Sequence, residues 1–333
     1  MKVFYKALFG MLALGATSVG PVMAQDLPGK GKTVVPAQEA NNPPELFQGY
    51  VVELGLKDLG YTIGDPITSS IQAAQISVAN GDATFYAAYW DPLQTALLEK
   101  AGMDKVEIIG NLIPNSIQGY MIDKKTAEAE HIKTIEQFRD PKIAKLFDTE
   151  GSGKATLYGC DPGWGCERVI EHHLDAYGLR DTVEHKQGSY FAIIADAVKR
   201  IQSGKPTLYY TYTPLWLSAI LVPNKDVVWL TVEKTELPDA EKGKATTVEG
   251  IGNLGFTVNT QRIVANKAFL EQNPAARKFM ELITMSVDDV NAENLKMHRG
   301  EDSDQDVRRH AEDWKAAHKA QWDEWIKESI AAK

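Results

Sequence analysis

The stretch Ala83-Thr84-Phe85-Tyr86-Ala87-Ala88-Tyr89-Trp90-Asp91-Pro92-Leu93 decides how this chain folds. Its first seven residues mix aromatic and small apolar side chains, the composition of a buried strand, and Asp91-Pro92 stops it, because proline brings no N–H to a ladder. Working backwards, Gly81-Asp82 is a turn and 69–80 has helical periodicity. Tyr61-Thr62-Ile63 is an earlier strand. Phe47, Val51 and Leu54 mark one face of a helix ending near Gly60, and Thr33-Val34-Val35 opens the series as a strand. The order is β-α-β-α-β. Such alternation predicts an α/β fold, a parallel sheet with crossover helices rather than a sandwich or a bundle.

The alternation resumes later. A helix is expected over 134–138, a Gly- and Cys-rich loop over 151–166, helices over 167–177 and 190–202, and a strand over 207–211. Residues 233–253 read as a surface-hugging loop, 255–258 as a strand, and the chain from Ala265 onward as helical. Trp314, His318, Trp322 and Trp325 fall on one helical stripe, which is read as packing.

The first residues contain two lysines, an apolar run over 7–19 and Val22-Met23-Ala24, the pattern of a secretory signal peptide cleaved after Ala24. A Sec-exported, periplasmic protein is therefore expected. Losing 1–24 removes Lys2 and Lys6, so the net charge moves from −9 to −11, and 309 residues remain. That length predicts two lobes. Acidic and basic residues interleave without a basic stripe, which excludes a nucleic-acid partner. In an oxidising compartment Cys160 and Cys166 are read as one disulfide; a metal site would need further ligands at suitable spacing, and no paired histidine lies nearby.

Catalysis finds no support. There is no Gly-x-Ser-x-Gly elbow and no His-Glu-x-x-His, and His172-His173 point to different faces of a helix. Gly151-Ser152-Gly153-Lys154 fails as a phosphate loop because Asp148 stands where its first glycine belongs, and Ala155 follows the lysine. The segment from Asp148 also fails as a calcium loop, whose twelfth position here is Gly159 rather than glutamate. A peptide-binding sensor or chaperone-like module is the rival from another class.

Two features point to a binding site instead. The strand end Tyr89-Trp90-Asp91-Pro92-Leu93 has an internal counterpart in Thr211-Tyr212-Thr213-Pro214-Leu215, so an aromatic-x-Pro-Leu motif closes a strand twice. Ligands of open α/β sheets bind beyond the carboxyl ends of strands, which places Trp90 and Tyr212 on opposite sides of one crevice. The second feature is Gly159-Cys160-Asp161-Pro162-Gly163-Trp164-Gly165-Cys166-Glu167. A seven-residue disulfide loop holding Trp164 contributes roughly 2 kcal/mol by chain entropy and lowers the ordering cost of binding. The helix that follows leaves the Gly165 and Cys166 N–H groups free for an anion. Three ring faces beside two amide donors suit a methylated zwitterion, whose ammonium cannot donate a hydrogen bond and is recognised by π-faces worth about 0.5–2 kcal/mol each.

At these residues the chain resembles the periplasmic glycine-betaine-binding component of the proline/betaine ABC importer of proteobacteria. The resemblance runs from Asp26-Leu27-Pro28-Gly29-Lys30-Gly31 through Gly119-Tyr120-Met121-Ile122-Asp123-Lys124-Lys125 and Pro162-Gly163-Trp164-Gly165-Cys166-Glu167 to Ile263-Val264-Ala265-Asn266-Lys267-Ala268. It implies a two-lobed periplasmic binding protein fold of type II, each lobe a mostly parallel sheet flanked by helices. The lobes, 25–117 plus 254–333 and 118–253, would meet at a hinge. It also implies a cage of Trp90, Trp164 and Tyr212, carboxylate donors at Gly165 and Cys166, no cofactor, and a monomer that serves an inner-membrane permease and its ATPase. The chain departs from the family pattern in three places. Tyr212 stands where a third tryptophan is usual, Gln94 where a histidine reaches the carboxylate, and Asp91 where a threonine is found. Gln94 can still donate without charge assistance. Asp91 is a candidate specificity residue: facing the cage it would attract a cation lacking its own acid, such as choline, and otherwise it is a solvated turn residue.

Overall fold

In the computed structural model, Met1 and residues 26–332 are described; the rest of the expected signal segment 1–24 lies outside them. A nine-stranded sheet forms the spine. Its strands in chain order are β1 (Pro36–Glu39), β2 (Ile67–Ser69), β3 (Phe85–Asp91), β4 (Val106–Asp123), β5 (Ala155–Tyr158), β6 (Val183–Lys186), β7 (Leu208–Thr213), β8 (Val227–Trp229) and β9 (Asn259–Asn266). The spatial order is β2-β1-β3-β9-β4-β7-β5-β6, with β8 also beside β4.

Two parallel triplets, β2-β1-β3 and β7-β5-β6, lie at opposite ends, joined through antiparallel strands. The joint is the 18-residue strand β4, for which the sequence offered no forecast. Its first part pairs with β9 as far as Ser116, opposite Asn259, and from Ile117, opposite Thr213, it pairs with β7. Positive φ at Gly110 and Asn115 and register shifts against β9 bend the strand. Gly110 admits no side chain, since a Cβ would fall 2.1 Å from the Met280 carbonyl oxygen.

The β-α-β-α-β reading survives with a shift in membership. Thr33–Val34 and Thr62–Ile63 do pair in parallel, but as a separate two-stranded sheet; Pro36–Glu39 and Ile67–Ser69 take the places in the main sheet. The chain passes from one sheet to the other at Val35, whose N–H donates to Thr84 Oγ1 at 2.9 Å, so the residues after it are the ones set beside β3. The helices Leu46–Asp58, Ile71–Asn80, Gly165–Ala176 and Tyr190–Gln202 fall where periodicity put them. The expected helix at 134–138 is a 3-10 turn, Ile135–Arg139, and 255–258 is not strand, the ladder starting at Asn259.

The core divides with the sheet. One cluster gathers Tyr120, Leu157, Ile170, Ile194, Leu208 and Tyr209 around the β7-β5-β6 end. Two others cover the faces of the β2-β1-β3 end, centred on Val51, Phe85 and Phe279 and on Val78, Tyr86 and Val264. Trp314, Trp322 and Trp325 are buried in that half, with Trp322 edge-on to Phe279, so the stripe is packing. Its helix is interrupted at His318, which stacks on Trp314.

Candidate binding site

The repeated motif is repeated in space. Trp90 leaves the carboxyl end of β3 and Tyr212 that of β7, and their rings meet at a 5.5 Å centroid distance and an interplanar angle of 90°. Both X-Pro bonds, Asp91-Pro92 and Thr213-Pro214, are cis. In each copy the following leucine N–H donates to an asparagine side chain, Leu93 to Asn259 Oδ1 at 3.1 Å and Leu215 to Asn291 Oδ1 at 2.7 Å.

Period-two alternation separates Trp90 from Asp91. The Asp91 carboxylate turns away from the crevice and pairs with Arg262 on β9 at 3.1 Å. This corrects the sequence expectation: Asp91 is neither a cage residue nor a freely solvated turn residue, because the neighbouring strand presents it with a guanidinium.

Trp164 comes from the stapled loop, closed by the Cys160–Cys166 disulfide. Its ring lies 6.2 Å from Tyr212 at 74°, and Tyr190 backs both, 5.6 Å from Trp164 and 5.4 Å from Tyr212. The helix after it starts at Gly165, two residues earlier than periodicity suggested. Gly165 and Cys166 are thus its first two positions, whose N–H groups have no intrahelical acceptor, and no side chain caps them. Gly165 is required by contact: a Cβ there would sit 2.5 Å from Leu93 Cγ, on the opposite half.

The indole N–H groups hold the rings. Trp164 Nε1 donates to Glu39 Oε1 and Trp90 Nε1 to Glu45 Oε1, each at 2.7 Å, and the Tyr212 hydroxyl donates to Asn42 Oδ1 at 3.2 Å. Trp90, Trp164, Tyr212, Glu39, Glu45 and Gln94 line one pocket, with Gly165 and Cys166 on its wall. Burial pushes the Glu39 carboxyl up to about 7, Asp161 adding to the effect and the Trp164 N–H opposing it. Burial raises Glu45 as well, reinforced by the charge of Glu39. Gln94 is buried, its Oε1 accepting from Gln75 Nε2 at 2.9 Å, which leaves its amide N–H₂ as the donor side.

Every residue expected to touch the ligand, Asp91 excepted, lines this one pocket, and Cys160 stands behind it in the disulfide. Glu39, Asn42 and Glu45 were missed. A signal existed: Glu39 ends the first strand of the main sheet and Asn42 and Glu45 lie just past it, in the β-α connection where ligands of open sheets bind.

Residues 32–317 match the family described as the substrate-binding domain of ABC-type glycine betaine transport systems. The chain belongs to this family. It is 49% identical over 316 residues, 95% of each chain, to the glycine betaine-binding periplasmic protein OusX of Dickeya dadantii. It is 48% identical over 310 residues, 93% of each chain, to the glycine betaine/proline betaine-binding periplasmic protein of Escherichia coli K12. Among solved structures, lactococcal OpuAC in its closed, glycine betaine-bound conformation superposes with a TM-score of 0.67 at 20% identity, covering 89% of this chain and 99% of the other. An ABC-transporter choline-binding protein in complex with choline gives 0.66 at 15%, covering 90% and 98%. These likenesses establish the two-lobed α/β binding-protein fold, and the family is one of substrate-binding transport proteins rather than an enzyme class.

Proposed function

We propose that this protein is the periplasmic capture component of an ABC importer and binds glycine betaine or a closely related quaternary-ammonium osmolyte. The observation that carries the reading is the meeting of three ring faces at steep angles beside two helix-terminal amides with no acceptor. The methylated ammonium packs against Trp90, Trp164 and Tyr212. Each face contributes about 0.5–2 kcal/mol in a dry site. The carboxylate takes the Gly165 and Cys166 N–H groups at the positive end of the helix, with Gln94 as a further donor. The names of the similar periplasmic proteins support this ligand class.

On this reading the halves 25–117 plus 254–333 and 118–253 are lobes that close around the solute, and the two crossings between them, within β4 and at 253–254, form the hinge. The protein is exported through cleavage near Ala24, acts as a monomer and delivers its cargo to a membrane permease and its ATPase. Titration of the mature protein with glycine betaine, followed by tryptophan fluorescence, tests the proposal. Saturation in the micromolar range, with proline much weaker, is the expected result, and no response to any quaternary ammonium compound would refute it.

A further inference from the structure

The cage walls hold two carboxylates and no protein cation. Glu39, Asn42 and Glu45 line both the cage and a second, smaller pocket beside it, and neither pocket is lined by Lys, Arg or His. Glu39 faces Trp164, Asp161, Tyr86 and Glu45, all neutral or acidic. The second oxygen of Glu45, Oε2, is buried without a hydrogen-bond partner. Buried carboxylates ordinarily have a cation or several donors, because leaving one unpaired is costly. Here each has an indole N–H, with the Tyr86 hydroxyl beside them, and both side chains line the pocket between the rings, the one place at the cage where a ligand cation fits.

Building on the cage reading above, we propose that Glu39, backed by Glu45, is the charge-selecting residue of this site. It positions Trp164 through the indole N–H and supplies the counter-charge of the bound ammonium, so the site admits alkylammonium ligands of net positive charge, such as choline, beside zwitterions. A zwitterion's own carboxylate cancels part of the attraction to Glu39. A ligand without an acid keeps all of it, in surroundings where charges are weakly screened. The choline affinity then follows the ionisation of Glu39. Its charged form prevails above pH 7, so binding strengthens as pH rises through that point and weakens below it.

Calorimetric titration of choline chloride and of glycine betaine at pH 6 and pH 8 tests this with the parent, Glu39→Gln and Glu39→Ala. Glu39→Gln keeps an oxygen acceptor for the indole and loses the charge. It should weaken choline about tenfold at pH 8, weaken betaine less than threefold, and abolish the pH dependence of choline binding. Glu39→Ala should weaken both ligands by releasing Trp164. The proposal is overturned if Glu39→Gln weakens both ligands by the same factor, or if the parent binds betaine but not millimolar choline. A parent choline affinity that is flat between pH 6 and pH 8 overturns it without reference to any variant. A parent that binds neither ligand removes the cage reading itself.

Discussion

Each cage tryptophan is held at two points, its backbone in the fold and its indole N–H on a carboxylate 2.7 Å away. The Trp90 ring is therefore oriented within its own half before a ligand arrives, whereas Trp164 gains its anchor on Glu39 as the halves come together. Trp90→Ala and Trp164→Ala should each weaken glycine betaine binding roughly tenfold, the scale of one lost cation–π wall. Calorimetry, rather than fluorescence, reads this cleanly, and parent-like affinity in both variants would show that the cage lies elsewhere. The rings were legible in the sequence because aromatics at a strand end and on a stapled loop are local signals. For Glu39 and Glu45 the sequence marked only the place, the end of the first β-strand and the connection after it: an acidic residue there looks the same whether it faces water or an indole.

At the scale of elements, the start of the helix Gly165–Ala176 meets the turn after β3. A methyl group at residue 165 cannot be accommodated while Leu93 stays where it is. Gly165→Ala should weaken betaine binding at least about tenfold while changing the ligand-free melting temperature little, and Leu93→Ala in the same chain should recover part of the loss, since contacting sites are not additive. Further along that helix, His173 is fully buried. Its Nδ1 lies 2.9 Å from the Tyr120 hydroxyl and its Nε2 2.9 Å from the Glu236 carbonyl oxygen. Burial depresses it to about 3 from an ordinary value of 6.5. The unfolded chain then binds a proton that the folded chain refuses, so this group's stabilisation is complete above pH 6.5 and declines between there and pH 3. The loss is about 1.4 kcal/mol per pH unit at most. Glu39, whose folded value is raised, acts in the opposite direction between about 7 and 4.5. The difference between parent and His173→Gln isolates the histidine: in urea unfolding at pH 6.5, 5.5 and 4.5 their stabilities should converge as pH falls. A constant gap would mean His173 does not resist protonation.

Across the whole molecule, the two halves touch through few polar links near the cavity. Trp164 reaches Glu39, Tyr212 reaches Asn42, Arg168 Nη2 reaches the Leu93 carbonyl at 2.8 Å, and Leu215 N–H reaches Asn291. Two of these four links run through cage rings, so a ligand seated among those rings joins both halves at once. Small-angle X-ray scattering should show a smaller radius of gyration with saturating glycine betaine than without it, and Trp164→Ala should reduce the difference. An unchanged radius on saturation would argue against closure of the lobes.

By itself the sequence determined the local choices. Alternating periodicities specified the α/β class, a prolyl stop ended each cage-bearing strand, and a cysteine pair enclosed Trp164, because periodicity, missing N–H groups and short loops act over a few residues. Only the tertiary structure decided which strands enter the main sheet, that Asp91 belongs to Arg262, and that two carboxylates stand behind the indoles. Those outcomes depend on neighbours as distant in the chain as Arg262 from Asp91 and Trp164 from Glu39, and no local pattern encodes which side chains will meet. The aromatic cage was readable from residues; its charge came from the fold.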